Sequence, residues 1–436
     1  MGMADLKYAY VLQQELQPTV QQVKSGQLPI PNTAFIPSAD WLRIFAWDHL
    51  TDPTVMRENR IELPKDVVVE WGLGTGDLLA INGNGKIISV NGLTDPRKVL
   101  DRPKIEGVGA LRADYAKRAL RIDKFGIHSI RAATLLSPIG YGQRLGIVSP
   151  PDTGKTWLIR DVLRGLLNVS RSNPKMKILI LHVGERAEDG TGFYSILREV
   201  EHDREQVELY TTPDGDREAA HYWVARFVLE RAKQLTRSGF DVVVLMDSAS
   251  RILMSHSRSD EIIKPANAGM ISGGISTASV SATKRLLATA GHFECGTLTI
   301  ISTMLGAESG KPSHEAALAE EVGPSVMTAW WELIKIQKSG WPKLNVANTR
   351  TRQIEDFASP AFLQEMQQVN RLMWRNTAES EEEEEEDSGG SEEDVTQSEE
   401  DAGKRQRRRS RKRPARAEDA LKALLVWSAT HPVPAE

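Results

Sequence analysis

Four stretches of the chain are apolar over strand length: RLGIV at 144–148, KILILHV at 177–183, DVVVLM at 241–246 and TLTIIST at 297–303. Runs this short and continuous predict strands buried on both faces. Between them, apolar residues recur at helical spacing in KTWLIRDVLRGLL (155–167), in 191–201 and in 217–236. Strand alternating with helix predicts an α/β fold, a parallel sheet covered on both faces. The first 135 residues read differently. A helix is predicted over 4–24, followed by short strands and turns such as NGNG at 82–85. No internal repeat is present.

The polar pattern changes abruptly after Asn376. Fourteen acidic residues and no basic ones lie between Glu379 and Asp401, and nine basic residues and no acidic ones between Lys404 and Arg416. Such blocks, with Ser and Gly and no aromatics, cannot bury enough surface to fold. Segment 377–416 is therefore expected to be disordered. The basic run KRQRRRSRKRPAR is read two ways, as a solvated arm neutralising the acidic block or as a nonspecific nucleic-acid tether. AEDALKALLVWSATH (417–431) has the pattern of a final amphipathic helix. The expected organisation is an N-terminal domain over 1–135, a motor domain over 136–376, the charged segment over 377–416, and a helix and tail over 417–436.

Composition narrows the class further. With 436 residues, 40% hydrophobic and 26% charged, the chain can bury at least one large core. A single cysteine, Cys295, excludes an internal disulfide and suits a reducing compartment. The start MGMADLKYAYVLQQE has no basic-then-apolar signal pattern, and no run approaches membrane-span length. A cytoplasmic, membrane-free protein is expected.

The candidate chemistry sits at the ends of the predicted strands. After RLGIV comes SPPDTGKT, the end of a phosphate-binding loop whose first glycine is replaced by Ser149. Pro151, Asp152, Thr153, Gly154, Lys155 and Thr156 would cradle phosphates at the N-terminus of the next helix. Lys155 would reach the β- and γ-phosphates of ATP, and Thr156 would ligate Mg2+. The second strand ends in Glu185-Arg186 and the third in Asp247. Carboxyl ends of strands are where open α/β sheets bind ligands, and an acidic residue at the end of an apolar strand holds magnesium in P-loop enzymes. Lys/Thr, Glu and Asp in this order predict an ATPase core of the RecA type.

These residues also carry a family resemblance. LLSPIGYGQRLGIVSPPDTGKT resembles the entry to the motor domain of the bacterial transcription terminator Rho, a family with a small non-glycine residue and Pro-Pro in its loop. The resemblance runs over 136–376 through GERAEDG, DVVVLMDSASRI, PANAGMISGGIS, TLTIISTMLGAESGKPSHE and KSGWPKLNVANTRTR, with a weaker patch at LPKDVVVEWGLGTGD. It implies a ring-shaped homohexamer that hydrolyses ATP at subunit interfaces, draws RNA through its centre and works with RNA polymerase. By the same resemblance Glu185 orients the attacking water and Arg186 lies near the γ-phosphate. Arg352 falls on an arginine finger that acts on the neighbouring subunit, with Arg350 the alternative register. Trp157 and Trp341 fall where the family flanks the adenine, and Lys311 falls on a pore-loop lysine that contacts RNA.

The chain departs from the family in two places. In the other pore loop, IIKPANAGMISGG, the lysine position is Gly269 and the nearest lysine is Lys264. The aromatic strand of the family's OB-type RNA site is missing: Phe35, Trp41, Phe45 and Trp47 lie without its pattern, and VEWGLGTGD is read as a remnant of the barrel's closing strand. The leading reading is an ATP-dependent RNA translocase and helicase acting in transcription termination. The alternatives are a RecA-fold ATPase acting on DNA or on a protein assembly, and a regulatory nucleotide-binding subunit.

Overall fold

The computed structural model describes residues 7–12, 33–35, 44–46, 60–62, 65–82, 84–105, 112–125, 127–259, 262, 275–307, 316–323, 325–335 and 344–368. The charged segment, the stretch 417–431 expected to form a final helix, Lys311 and Lys264 lie outside the described residues, as do Gly269 and Trp341.

The described residues form two sheets. The first contains β1 (Lys7–Leu12), β2 (Thr33–Phe35), β4 (Arg60–Glu62), β5 (Leu78–Ile81) and β6 (Ile87–Val90), in the antiparallel order β4-β2-β1-β5-β6. The helix expected over 4–24 is therefore corrected at Lys7–Leu12, which is a strand. KYAYVL is rich in the aromatic and β-branched residues that favour strands, and it gains a ladder on each side, from β2 and from β5. The closing-strand reading of VEWGLGTGD is corrected too. Lys65–Trp71 forms helix α1, and Gly72 (φ +57°) stops it. The Leu73 N–H bonds to the Val68 carbonyl and the Gly72 N–H to that of Val69, the paired bonds of a Schellman end. The strand begins only at Leu78.

The second sheet has the order β14-β13-β7-β12-β10-β8-β9-β3. The four predicted strands are its centre: β7 (Arg144–Ser149), β8 (Met176–Glu185), β10 (Asp241–Asp247) and β12 (Thr297–Leu305). β9 (Val207–Pro213) and β3 (Ile44–Ala46) extend one edge, and β13 (Ala329–Glu332) and β14 (Arg350–Thr351) the other. Pairing is parallel from β3 to β13; β14 and the short β11 (Gly291–His292) pair antiparallel.

Helices cover both faces, as the alternation predicts. One face carries α3 (His128–Leu136), α4 (Lys155–Ser172) and α5 (Ala187–Glu199), packed on Leu145, Ile147, Ile180, Leu245 and Ile301. The other carries α6 (Glu218–Arg237), α7 (Ala249–Arg258) and α8 (Thr277–Ala288) over Leu179, Leu181, Val242, Val244 and Ile300. Two short helices, α2 (Pro96–Leu100) and α9 (Ala317–Val322), complete the described set. Leu120, Ile122 and Ile130 share the core of α4, and Ile44–Ala46 pairs with β9, so residues before 136 also build the second sheet's layers. No described helix is long and apolar enough to cross a membrane.

A buried ionic joint fastens the first sheet to α6. Arg231 of α6 binds Glu208 through two nitrogens, at 2.9 and 3.2 Å, and donates to the Gly76 carbonyl at 3.0 Å. Arg102 grips Asp77 bidentately at 2.7 and 2.8 Å, and Asn91 donates to the same carboxylate at 2.6 Å. Ser238 receives both Arg102 and Asn91. Gly76 (φ +89°) permits the approach, since a Cβ there would stand 2.5 Å from the Arg231 backbone nitrogen. All four charged residues are at most 5% exposed. Arg231→Met is expected to lower stability by about 3–5 kcal/mol, because it strands the Glu208 carboxylate without its partner. A fall in the urea midpoint at unchanged slope is the readout.

Candidate functional site

Sequence places the loop between β7 and α4, and the structure shows why Ser149 can replace glycine there. Ser149 is the last residue of β7, paired with Leu305 in extended backbone and buried. It needs no left-handed conformation. Those fall on Asp152 (φ +57°) and Gly154 (φ +78°), an aspartate that tolerates the region and a glycine that takes it freely. The Thr153 hydroxyl closes the turn on the Pro150 carbonyl at 2.8 Å. Gly154 is the N-cap of α4, which therefore has no side-chain cap and no acidic residue in its first turn. The uncapped N–H groups and the positive end of the helix dipole suit an anion.

Three strand ends bring charged groups to this point. Lys155 Nζ lies 3.7 Å from Glu185 Oε1 and 3.9 Å from Asp247 Oδ1. Asp247 is 2% exposed, and its Oδ1 accepts a 2.6 Å hydrogen bond from the Thr303 hydroxyl of β12. Glu185 accepts from the Ser248 hydroxyl at 3.0 Å and lies 3.5 Å from Arg251 Nε. Ser248 also caps α7 by accepting from the Arg251 N–H. The peptide between Asp247 and Ser248 is cis. Arg186, exposed, is the N-cap of α5 beside the mouth.

Trp157 projects from the first turn of α4 and is 59% exposed, with the Arg160 guanidinium 5.9 Å from its ring. An exposed indole at the mouth of a phosphate loop can stack on a purine. On the other side of the loop, Val148, Pro150, Gly306, Ala316, Trp330 and Glu332 line a cleft of about 740 Å³. The residues present fit a nucleotide with Mg2+. Among the described residues no cluster of three or more His, Cys, Asp or Glu could hold a metal by itself. Magnesium asks for less, one or two carboxylates with phosphate oxygens and waters, and Asp247 with the Thr156 hydroxyl offers hard oxygen donors of that kind.

Arg352 is not part of this cluster. Its N–H bonds to the Thr328 carbonyl, whose residue also receives the Arg144 N–H on its hydroxyl. Arg352 is thus anchored at the first residue of β7, while the loop follows the last. Five strand steps separate the ends by about 17 Å, more than an arginine side chain spans. Its charge is felt at Arg144 instead, where burial, with Arg352 adding to it, holds the guanidinium below the usual arginine range. Arg350 pairs with Trp330 in the same half of the sheet. Both arginines are exposed.

Ser248, Thr303, Arg251 and His182 stand beside these groups only once the chain is folded. Thr303 and His182 were legible as polar residues inside apolar runs that end at the loop's level. Ser248 and Arg251 carry no such signal, since their relevance depends on the turn into α7. His182 is 1% exposed, and burial lowers its pKa from the ordinary histidine value although Asp247, Glu185 and Asp189 oppose the shift.

Comparisons with known proteins bear on the same region. Residues 129–317 match the model of the ATP synthase alpha/beta family, nucleotide-binding domain. The chain is 29% identical over 322 residues to transcription termination factor Rho of Streptosporangium roseum, covering 72% of this chain and 76% of that protein. It is 28% identical over 319 residues to the Rho factor of Aquifex aeolicus, covering 70% of each. Among solved structures, the ATP synthase subunit NeqB from Nanoarcheaum equitans superimposes with a TM-score of 0.50 at 15% identity, over 66% of this chain and 67% of that one. That likeness speaks to the fold alone.

Proposed function

We propose that this chain, a Rho-like RecA-type ATPase, is the subunit of a homohexameric ring that hydrolyses ATP to move along RNA, unwinds it and acts in transcription termination. The observation that carries the reading is the meeting of Lys155, Glu185 and Asp247 at the uncapped start of α4. Lys155 would neutralise the β- and γ-phosphates, drawn off the two carboxylates it faces. Glu185, held by Ser248 and Arg251, would orient the attacking water and take its proton. Trp157, with Trp341, would enclose the adenine, and Arg186 would stand near the γ-phosphate. Thr156 and Asp247 would hold Mg2+, which when bound offsets the charge on the phosphate oxygens. Arg352, too far from its own loop, would serve the next subunit's nucleotide, which makes a ring the natural assembly. Lys311 would contact RNA in the pore, and the basic run at 404–416 would add nonspecific nucleic-acid contact. RNA polymerase is the partner this role requires.

One assay tests the reading. ATP turnover is measured with no polymer, with poly-pyrimidine RNA and with DNA of the same sequence. Strong stimulation by RNA and little by DNA is expected, because the 2′-hydroxyl distinguishes the two. Equal stimulation by DNA would point to a DNA motor. Turnover indifferent to both polymers would overturn translocation and leave a nucleotide-binding subunit.

A further inference from the structure

We infer that His182 is a positioning residue for the divalent cation, its Nε2 hydrogen-bonding a water of the cation's coordination shell beside Asp247. The inference rests on the reading that Asp247 and Thr156 hold that cation.

Parallel register carries the argument. His182 of β8 pairs with Asp247 of β10, and in-register neighbours of a parallel sheet project to the same face. The row on that face continues through Thr303 of β12, hydrogen-bonded to Asp247, to Ile147 of β7. Asp247 is thus flanked by a hydroxyl on one strand and an imidazole on the other. The hydroxyl is already bonded to it. His182 Nε2 is fully buried and has no hydrogen-bond partner among the described residues.

Among the described residues, the neighbours of the ring supply no hydrogen bond to Nε2. Phe193 of α5 meets it edge-on at 5.8 Å. Gly190 of α5 faces it, and a Cβ there would stand 3.3 Å from Nδ1. The helix therefore makes room for the imidazole and offers it no polar side chain at that position. Glu185, Asp189 and Arg160 are the charged groups that act on it alongside Asp247. A buried ring nitrogen without a partner is unfavourable, so a partner that arrives with the ligand is the economical explanation. Magnesium prefers oxygen donors and retains several waters. The imidazole is thereby suited to the outer shell rather than to direct ligation.

The test uses the full chain with Mn2+ as the probe, its free concentration followed by electron paramagnetic resonance beside a non-hydrolysable ATP analogue. His182→Leu is expected to weaken Mn2+ binding roughly 10- to 100-fold, the usual range for loss of an outer-shell partner. His182→Gln, which returns a polar group near the Nε2 position, should recover most of it. Metal-free analogue binding should be the same in all variants. Should the leucine variant not fold, His182→Asn, whose amide stops short of that position, carries the same expectation. Unchanged Mn2+ binding in the variant that folds would overturn the inference. So would a glutamine variant that folds yet binds as weakly as leucine, since only packing would then be at stake. Asp247→Asn separates the two levels. If it weakens Mn2+ binding and His182→Leu does not, the inference alone falls; if Asp247→Asn has no effect, the cation reading falls with it.

Discussion

Arg352→Ala is expected to lower ATP turnover by roughly 10³- to 10⁵-fold, the range for loss of an arginine finger, while leaving nucleotide affinity close to its original value. The size would follow from charge placed against the transferring phosphoryl group, and the proposal of action in trans rests on the distance of Arg352 from its own loop. Arg352 is tied to Thr328 at the first residue of β7, and the phosphate loop begins beyond the last. That puts the loop about 17 Å away along the strand, farther than an extended arginine side chain reaches. Mixing makes this measurable. Subunits carrying Arg352→Ala, assembled with subunits carrying Glu185→Gln, should regain part of the lost activity at interfaces that join an intact loop to an intact arginine. Rings shown to be mixed yet inactive would argue against a trans finger, as would full activity in a monomer. Arg350→Ala should have a much smaller effect; a reversed order would move the role two residues upstream.

Glu185→Gln should retain ATP binding and lose turnover by roughly 10²- to 10⁴-fold, the usual contribution of a general base. The amide oxygen can still accept from the Ser248 hydroxyl that now holds Oε1 at 3.0 Å, so the side chain keeps its place. It cannot accept a proton from water. Lys155→Ala should instead weaken binding itself, because the ammonium is the one cation between the Glu185 and Asp247 carboxylates among the described contacts of both. Binding measured by quenching of the exposed Trp157, next to turnover under single-cycle conditions, separates the two outcomes. Near-normal hydrolysis by Glu185→Gln would remove Glu185 from its role.

What the sequence by itself determined is the centre of the second sheet and the groups at its carboxyl end. RLGIV, KILILHV, DVVVLM and TLTIIST are apolar throughout, and a strand buried on both faces has few other solutions. Lys155, Glu185 and Asp247 follow directly from those strand ends, and parallel pairing in the order β7-β12-β10-β8 brings them together. Tertiary structure decided the rest. Lys7–Leu12 could not declare itself a strand, because its ladders come from β2 and β5, more than twenty and more than sixty-five residues away. VEW became the end of α1 through a turn whose bonds depend on Gly72 and Leu73. Thr303 and Ser248 acquire meaning only when β12 and the start of α7 lie against the carboxylates. Arg352 is an exposed arginine in any local reading; its distance from its own loop is a property of β13 and β14 lying beside β7. Local pattern specifies which residues a strand offers and on which end. Only the register between strands, set by contacts far apart in the chain, specifies what each residue faces.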